Sequence, residues 1–191
     1  VIRLDVNGYT QMFLERKTEF VTSTLNRYFK KAAEVIRRYG GHIYQYVGDE
    51  IVFHIKVEGG PGSPGEFMAS RLPTGDVELE KAVSCVRSLF AVAQEMDQEL
   101  RGQGVPFVVK AAMSRGRLRF IELDTGYAFA GLPLIESVRM LGKIDEKEQN
   151  ILAIYSDDYV GVRSLAQEYK TFQVAFKGFQ GQTEIVEIKD F

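Results

Sequence analysis

Two aspartates stand where a metal-dependent chemistry could use them. Asp5 closes the strand-like run Val1-Ile2-Arg3-Leu4, and Val6-Asn7-Gly8-Tyr9-Thr10 then forms a Gly-containing turn that opens a long helical stretch. Asp49 follows Gly48 between two strand-like runs, His42 to Val47 and Glu50 to Ile55, which predicts a hairpin tip. If the two strands are neighbours, both carboxylates can face one divalent cation, and hard oxygen donors suit Mg²⁺ or Mn²⁺. The backbone N–H groups after Asp5 would then face an anion at a helix N-terminus. Taken singly, Asp5 also reads as a helix cap and Asp49 as an ordinary turn residue. Their joint placement favours the metal.

The elements that must position them can be read from periodicity. Gln11 to Tyr39 is predicted as one amphipathic helix, with Phe13, Phe20, Leu25, Phe29, Ala32, Val35 and Ile36 on its apolar side, Thr10 as N-cap and Gly40-Gly41 as its end. Ile43 to Ile55 reads as a hairpin turning at Gly48. Residues 58–76 include Gly59-Gly60-Pro61-Gly62-Ser63-Pro64-Gly65 and read as a mobile loop. A second amphipathic helix is expected over Val77 to Leu100. Strands are expected over Phe107 to Ser114, Arg117 to Leu123 and Ile151 to Tyr155, a short helix over Leu134 to Leu141, and two terminal strands after them. Such an order predicts an α+β domain, a mixed sheet with helices packed on it, spanning residues 1–191 as one unit.

Composition removes several classes of function. With 24 Lys and Arg against 26 Asp and Glu there is no electrostatic case for nucleic acid or an acidic membrane surface. The lone Cys85 excludes an internal disulfide framework, and its apolar helical setting predicts an inert buried thiol. No apolar run is long enough to span a bilayer and no signal peptide is visible. The chain starts within a strand and without Met, so it reads as a catalytic-type domain cut from a longer protein. The expected location is cytoplasmic, with a parent that could itself be membrane-anchored. His42 and His54 lack metal-ligand spacing. Tyr44, Tyr46, Phe53, Tyr127 and Phe129 could form a base-stacking platform, but packing on a pleated sheet is the more frequent use of such rings.

A strand-end Asp, a Gly-containing turn and a hairpin Asp together resemble the metal half of the class III nucleotidyl cyclases, the adenylyl and guanylyl cyclase catalytic domain. Asp5-Val6-Asn7-Gly8-Tyr9-Thr10 resembles that family's Asp-Ile-x-Gly-Phe-Thr, and Val47-Gly48-Asp49 its Ile-Gly-Asp. Val108 to Gly116 resembles the strand ending in a His-x-Gly or Ser-x-Gly turn. Gly131 to Met140 resembles the Gly-x-x-Val-Asn-x-Ala-x-Arg helix, and Ile154 to Tyr159 the strand-and-Ser segment that follows. Phe176-Lys177-Gly178-Phe179 with Glu184 to Ile188 resembles the closing Leu-Lys-Gly strand pair. The segments occur in family order over nearly the whole chain.

The resemblance implies a ferredoxin-like split βαβ core and a head-to-tail homodimer with its active site at the interface. It also implies conversion of a nucleoside triphosphate, ATP first, to the 3′,5′-cyclic monophosphate and pyrophosphate. Asp5, Asp49 and the Val6 carbonyl would hold two ions per site, and the amides of Asn7, Gly8, Tyr9 and Thr10 the β- and γ-phosphates. Arg139 would meet the α-phosphate, a role suited to a guanidinium fork, and Lys177 the phosphates; Lys110 and Arg115 are further basic residues near this cleft. The family's base-reading positions are Gln45 and Ala128 here, and its ribose-orienting Asn is Ile135. Gln45 can donate and accept, whereas Ala128 and Ile135 offer no polar group. A noncatalytic, dimerising or nucleotide-sensing cyclase-homology module therefore stays open beside the enzyme. A dinucleotide-forming enzyme on a related fold fits less well, because Tyr46-Val47-Gly48-Asp49-Glu50-Ile51 matches its Gly-Gly-Asp/Glu-Glu-Phe hairpin only in part.

Overall fold

The computed structural model describes residues 1–55, 76–124, 126–145 and 148–189. Strand β1 (Ile2–Asn7) alternates strictly. Ile2, Leu4 and Val6 are buried, while Arg3, Asp5 and Asn7 lie on the opposite, partly open face. After it come α1 (Tyr9–Glu15), α2 (Thr18–Arg38), β2 (Gly41–Val47), β3 (Glu50–Ile55), α3 (Asp76–Leu100) and β4 (Val108–Met113). The remainder is β5 (Arg119–Leu123), β6 (Gly126–Ala130), α4 (Leu132–Leu141), β7 (Ile151–Tyr155), α5 (Ser156–Val160), β8 (Glu168–Val174) and β9 (Thr183–Lys189).

Among the described residues one seven-stranded sheet forms, in the order β2-β3-β1-β4-β7-β9-β8, with β5 and β6 as a separate two-stranded ribbon. The β4–β7 pair is parallel and the other pairings are antiparallel, so the sheet is mixed and the class is α+β. Its two faces carry different layers. Ile2, Leu4, Val6, Ile51, Phe53, Val109, Ala111, Leu152 and Ile154 meet buried residues of α2 and α3 in the main core. On the other face Ala112, Ile151, Ala153 and Ile185 meet Met140 and Leu141 of α4 in a smaller core. Residues of α2 and α3 recur at helical spacing on their buried sides: Val21, Leu25, Tyr28, Ala32, Val35 and Ile36 on one, Val83, Val86, Leu89, Phe90, Ala93 and Met96 on the other.

Three expectations are corrected. The first long helix is broken, because Arg16 is extended (φ −124°, ψ 160°) and α2 begins anew at Thr18. The break turns the short α1 independently of α2, so Tyr9 can reach the β2–β3 turn. The N-cap of α1 is Gly8 in a left-handed conformation (φ 75°), and Thr10 is already helical. Phe176 to Phe179 lie beyond the end of β8, in its connection to β9, instead of in a strand. Strand β6 and helix α5 were not foreseen. The loop expected over 58–76 falls outside the described residues, apart from Asp76, which begins α3.

Candidate active site

Register places the two aspartates together. Leu4 pairs with Ile51 across β1 and β3, so Asp5 lies at the level of Glu50, beside the turn that holds Gly48 and Asp49. Gly48 takes a positive φ of 63°, which a tight two-residue hairpin turn requires and a side chain resists. The Tyr9 ring closes on that turn, 3.8 Å from where a Cβ on Gly48 would sit. Burial first and the Asp5 charge second push the Asp49 carboxyl up to about 7, and a hydrogen bond between the two carboxyl groups adds to the shift. Two acids forced into mutual contact in half-dry surroundings are a ready acceptor for a cation.

One cation of the protein already faces them. Lys110 pairs with Asp5 across β1 and β4, is 9% exposed, and brings its Nζ to 3.5 Å from an Asp5 carboxylate oxygen. Sequence reasoning gave it only a weak place near the cleft. The available signal was a lysine within Val108–Met113, an otherwise apolar run whose neighbours are buried. Asn7 donates from Nδ2 to the Glu148 carbonyl at 3.0 Å, pinning the turn after Asp5 to the segment that enters β7. Among the described residues no group of three or more His, Cys, Asp or Glu side chains gathers. The carboxylate pair and nearby main-chain oxygens, Val6 among them, are therefore the donor set on offer. It fits a hard divalent ion.

The second constellation lies elsewhere. Arg139 donates from Nη1 to the Lys177 carbonyl, and its guanidinium lies 5.0 Å from the centre of the Phe179 ring. Arg139 and Lys177 thus sit where β8 turns toward β9. Asp5 is level with Lys110 and Ile151, whereas Val174 and Thr183 mark the other end of the sheet. Six residues of strand, about 20 Å, and three strand spacings, about 14 Å, separate Asp5 from Thr183, where the connection that holds Lys177 ends; Arg139 lies on α4, which packs on β4 and β1. The sequence-predicted residues therefore fall into two groups within one chain. Asp5, Asp49, Val6 and the Asn7–Thr10 turn belong to the first. Arg139 and Lys177 belong to the second.

Gln45 is exposed on β2, Ala128 is half-buried on β6 and Ile135 is exposed on α4. Gln45 follows a β-bulge: Ile43 pairs with Phe53 and Gln45 with Val52, leaving Tyr44 as the extra residue. That bulge lets the Tyr44 ring stack on Phe129 of β6 at 4.3 Å, next to Ala128, and holds the β5–β6 ribbon against β2–β3. His54 joins the cluster (5.1 Å to Tyr44, 5.9 Å to Phe129) and stacks with His42 at 5.3 Å. Burial and then His42 lower the His54 pKa to about 4, so its ring is neutral. Tyr46 packs on Phe29 of α2. The aromatics whose rings are described are thus packing residues; the side chain of Tyr127 lies outside the described part. Ile135 is 44% exposed on α4, with Leu132 and Val138 also exposed. At the head of α4, Gly131 is obligatory for space, because a Cβ there would stand 2.3 Å from the Arg117 carbonyl oxygen.

No family model matches the sequence, and no curated protein sequence matches it. Solved structures do resemble the fold. The adenylyl cyclase CyaB from P. aeruginosa superposes with a TM-score of 0.76 at 22% identity, over 100% of this chain and 92% of that one. The guanylyl cyclase Cya2 gives 0.75 at 21% identity, over 99% and 90%. The guanylate cyclase domain of RhGC from Catenaria anguillulae, solved in complex with GTP, gives 0.63 at 15% identity, over 99% and 94%. The chain has the fold of the nucleotidyl cyclase catalytic domain. It covers that fold nearly end to end, and the adenylyl and the guanylyl cyclase superpose on it about equally well.

Proposed function

We propose that this chain is a nucleotidyl cyclase domain that closes a nucleoside triphosphate, ATP first, to its 3′,5′-cyclic monophosphate with release of pyrophosphate. The observation that carries the reading is the contact of Asp49 with Asp5 at one end of the sheet, joined there by buried Lys110. Asp5, Asp49 and the Val6 carbonyl would hold Mg²⁺ or Mn²⁺, two ions per site. When bound, such ions lower the pKa of the ribose 3′-hydroxyl and neutralise charge on the phosphates.

The chain's own groups supply the rest. Lys110 stands beside the carboxylates as a fixed positive charge for phosphate oxygens. The first amides of α1 lack intrahelical acceptors and point toward the same end, beside Asp5. Arg139, with its planar fork, would meet the non-bridging oxygens of the α-phosphate as the 3′-oxygen attacks in line, and Lys177 would face the departing pyrophosphate. On this reading the site is shared between two copies, one chain giving the carboxylates and the other the arginine, as the resemblance to the cyclases implies. A head-to-tail homodimer would have two such equivalent sites.

A second reading has its own observation: Ala128 and Ile135 present no hydrogen-bonding group, and Ile135 is exposed on the helix that carries Arg139. On this reading the domain binds a nucleotide or a second copy without turnover. Incubating purified protein with each of the four nucleoside triphosphates and Mn²⁺, with products resolved by mass, separates the two. The enzyme yields cyclic monophosphate and pyrophosphate, lost by roughly a hundredfold or more in Asp5→Asn and Asp49→Asn. A verified dimer that turns over none of the four establishes the noncatalytic module.

A further inference from the structure

Arg3 has no part in the chemistry above, yet its setting is unusual. It lies on β1 two residues before Asp5, and strand alternation puts it on the same face. Its side chain is 12% exposed and that of Glu50, its ion-pair partner, 15%. Hiding both charges costs hydration that their attraction rarely returns in full, so stability alone is a poor reason for such a pair. Its geometry offers a better one.

The guanidinium reaches two elements at once. Nη1 pairs with Oε1 of Glu50, the residue after Asp49 in the β2–β3 turn. Nε donates to Oγ of Ser137 at 3.2 Å, and Ser137 is fully buried on α4, two residues before Arg139. The Ser137 hydroxyl passes its own proton to the Leu134 carbonyl at 3.3 Å, so it is committed both as acceptor and as donor. Ser114 at the end of β4 bonds Glu136, the neighbouring residue of α4, which pins the helix at a second point. A planar guanidinium with donors in fixed directions can make both of the Arg3 bonds together; a lysine ammonium can keep the charge pair but not the second bond in the same geometry.

We infer that Arg3 is a positioning residue, a buried guanidinium that sets the Asp49 turn and the Arg139 helix at a fixed separation. The inference rests on the cyclase reading above for its role. In a head-to-tail dimer Asp49 and Arg139 of one chain serve different sites, so Arg3 ties the metal half of one site to the arginine half of the other.

Two conservative variants of the full chain test it. Ser137→Ala leaves the Arg3–Glu50 pair intact and removes only the α4 end, and Arg3→Lys keeps the pair and loses the bond to Ser137. Ser137→Thr restores a hydroxyl and serves as the rescue. The first measurement is amide hydrogen exchange without metal or nucleotide. The brace predicts roughly tenfold faster exchange in the Val47 to Glu50 turn of Ser137→Ala and Arg3→Lys, reversed in Ser137→Thr; faster exchange confined to α4 overturns it. The second is Mn²⁺ affinity, read from the spectrum of the free ion by electron paramagnetic resonance. Both variants should bind Mn²⁺ about tenfold more weakly than the wild type with an unchanged circular dichroism spectrum. A wild type that binds Mn²⁺ beside variants that bind it equally well overturns the brace and leaves the cyclase reading standing. A wild type with no Mn²⁺ affinity overturns the cyclase reading and the brace's role in it, while the exchange data alone then decide whether the coupling exists.

Discussion

At the scale of single residues, the proposed function puts charged groups on the phosphates and metal and leaves the base and ribose to weaker contacts. Asp5, Asp49 and Lys110 converge, and Arg139 is held by the Lys177 carbonyl and the Phe179 ring. If Gln45, Ala128 and Ile135 line the nucleotide pocket as proposed, they leave nothing that discriminates a base sharply, since large discrimination comes from buried polar groups that the wrong substrate leaves unpaired. The expected enzyme is slow, prefers Mn²⁺ and separates ATP from GTP poorly. Combining Gln45→Lys, Ala128→Asp and Ile135→Asn should raise ATP turnover by roughly tenfold or more while leaving GTP turnover behind, because an oriented ribose places the 3′-oxygen in line with the α-phosphorus. Initial rates on both triphosphates, before and after this repair, check it. A strong native preference for one base would show that other residues read it.

At the scale of elements, the β5–β6 ribbon is held on β2–β3 by rings and not by backbone ladder bonds. Tyr44, His54 and Phe129 make that joint, with Phe120 packing edge-on against Phe129. The joint carries a pH dependence through His54. Its folded pKa, about 4, lies below the ordinary 6.5, so between those values the unfolded chain binds more protons than the folded one. Stability is therefore fully present above about pH 6.5 and lost as the pH falls toward 4. With its partial exposure discounted, the contribution is about 1–2 kcal/mol. Thermal melts by circular dichroism across this range should show the midpoint falling, and His54→Phe should flatten that slope. An unchanged slope in the variant would assign acid sensitivity to other groups.

At the scale of the whole molecule, the proposal of a site shared between two copies makes a sharp prediction about assembly. Subunits carrying Asp49→Asn and subunits carrying Arg139→Ala should each be inactive. Mixed and allowed to exchange, they should recover roughly a quarter of the wild-type rate, because half the dimers are mixed and each of these has one intact site of two. Exchange is verified independently with differently tagged subunits and native mass spectrometry. Confirmed exchange without recovery would place the arginine and the carboxylates in the same chain's site, against the proposal. No helix among the described residues is long and apolar enough to cross a membrane.

Local chemistry was enough to read the strand-end Asp5, the hairpin at Gly48-Asp49, the two long amphipathic stretches and the order of the elements other than β6 and α5. Each rests on short-range rules: alternation, helical spacing, and the need for glycine where the backbone turns left-handed. Even there, the break at Arg16 escaped, because apolar spacing on either side of it stays in helical phase. Register and topology decided the rest. That Asp5 meets Asp49 depends on β3 lying beside β1, and that Lys110 joins them depends on which residue of β4 faces Asp5. A one-residue slip in either pairing would turn those side chains to the other face. Arg3 shows the same limit most plainly: in sequence it is one of two charges in a short strand, and only the pairing of β3 with β1 and the packing of α4 on them give it Glu50 and Ser137 to join.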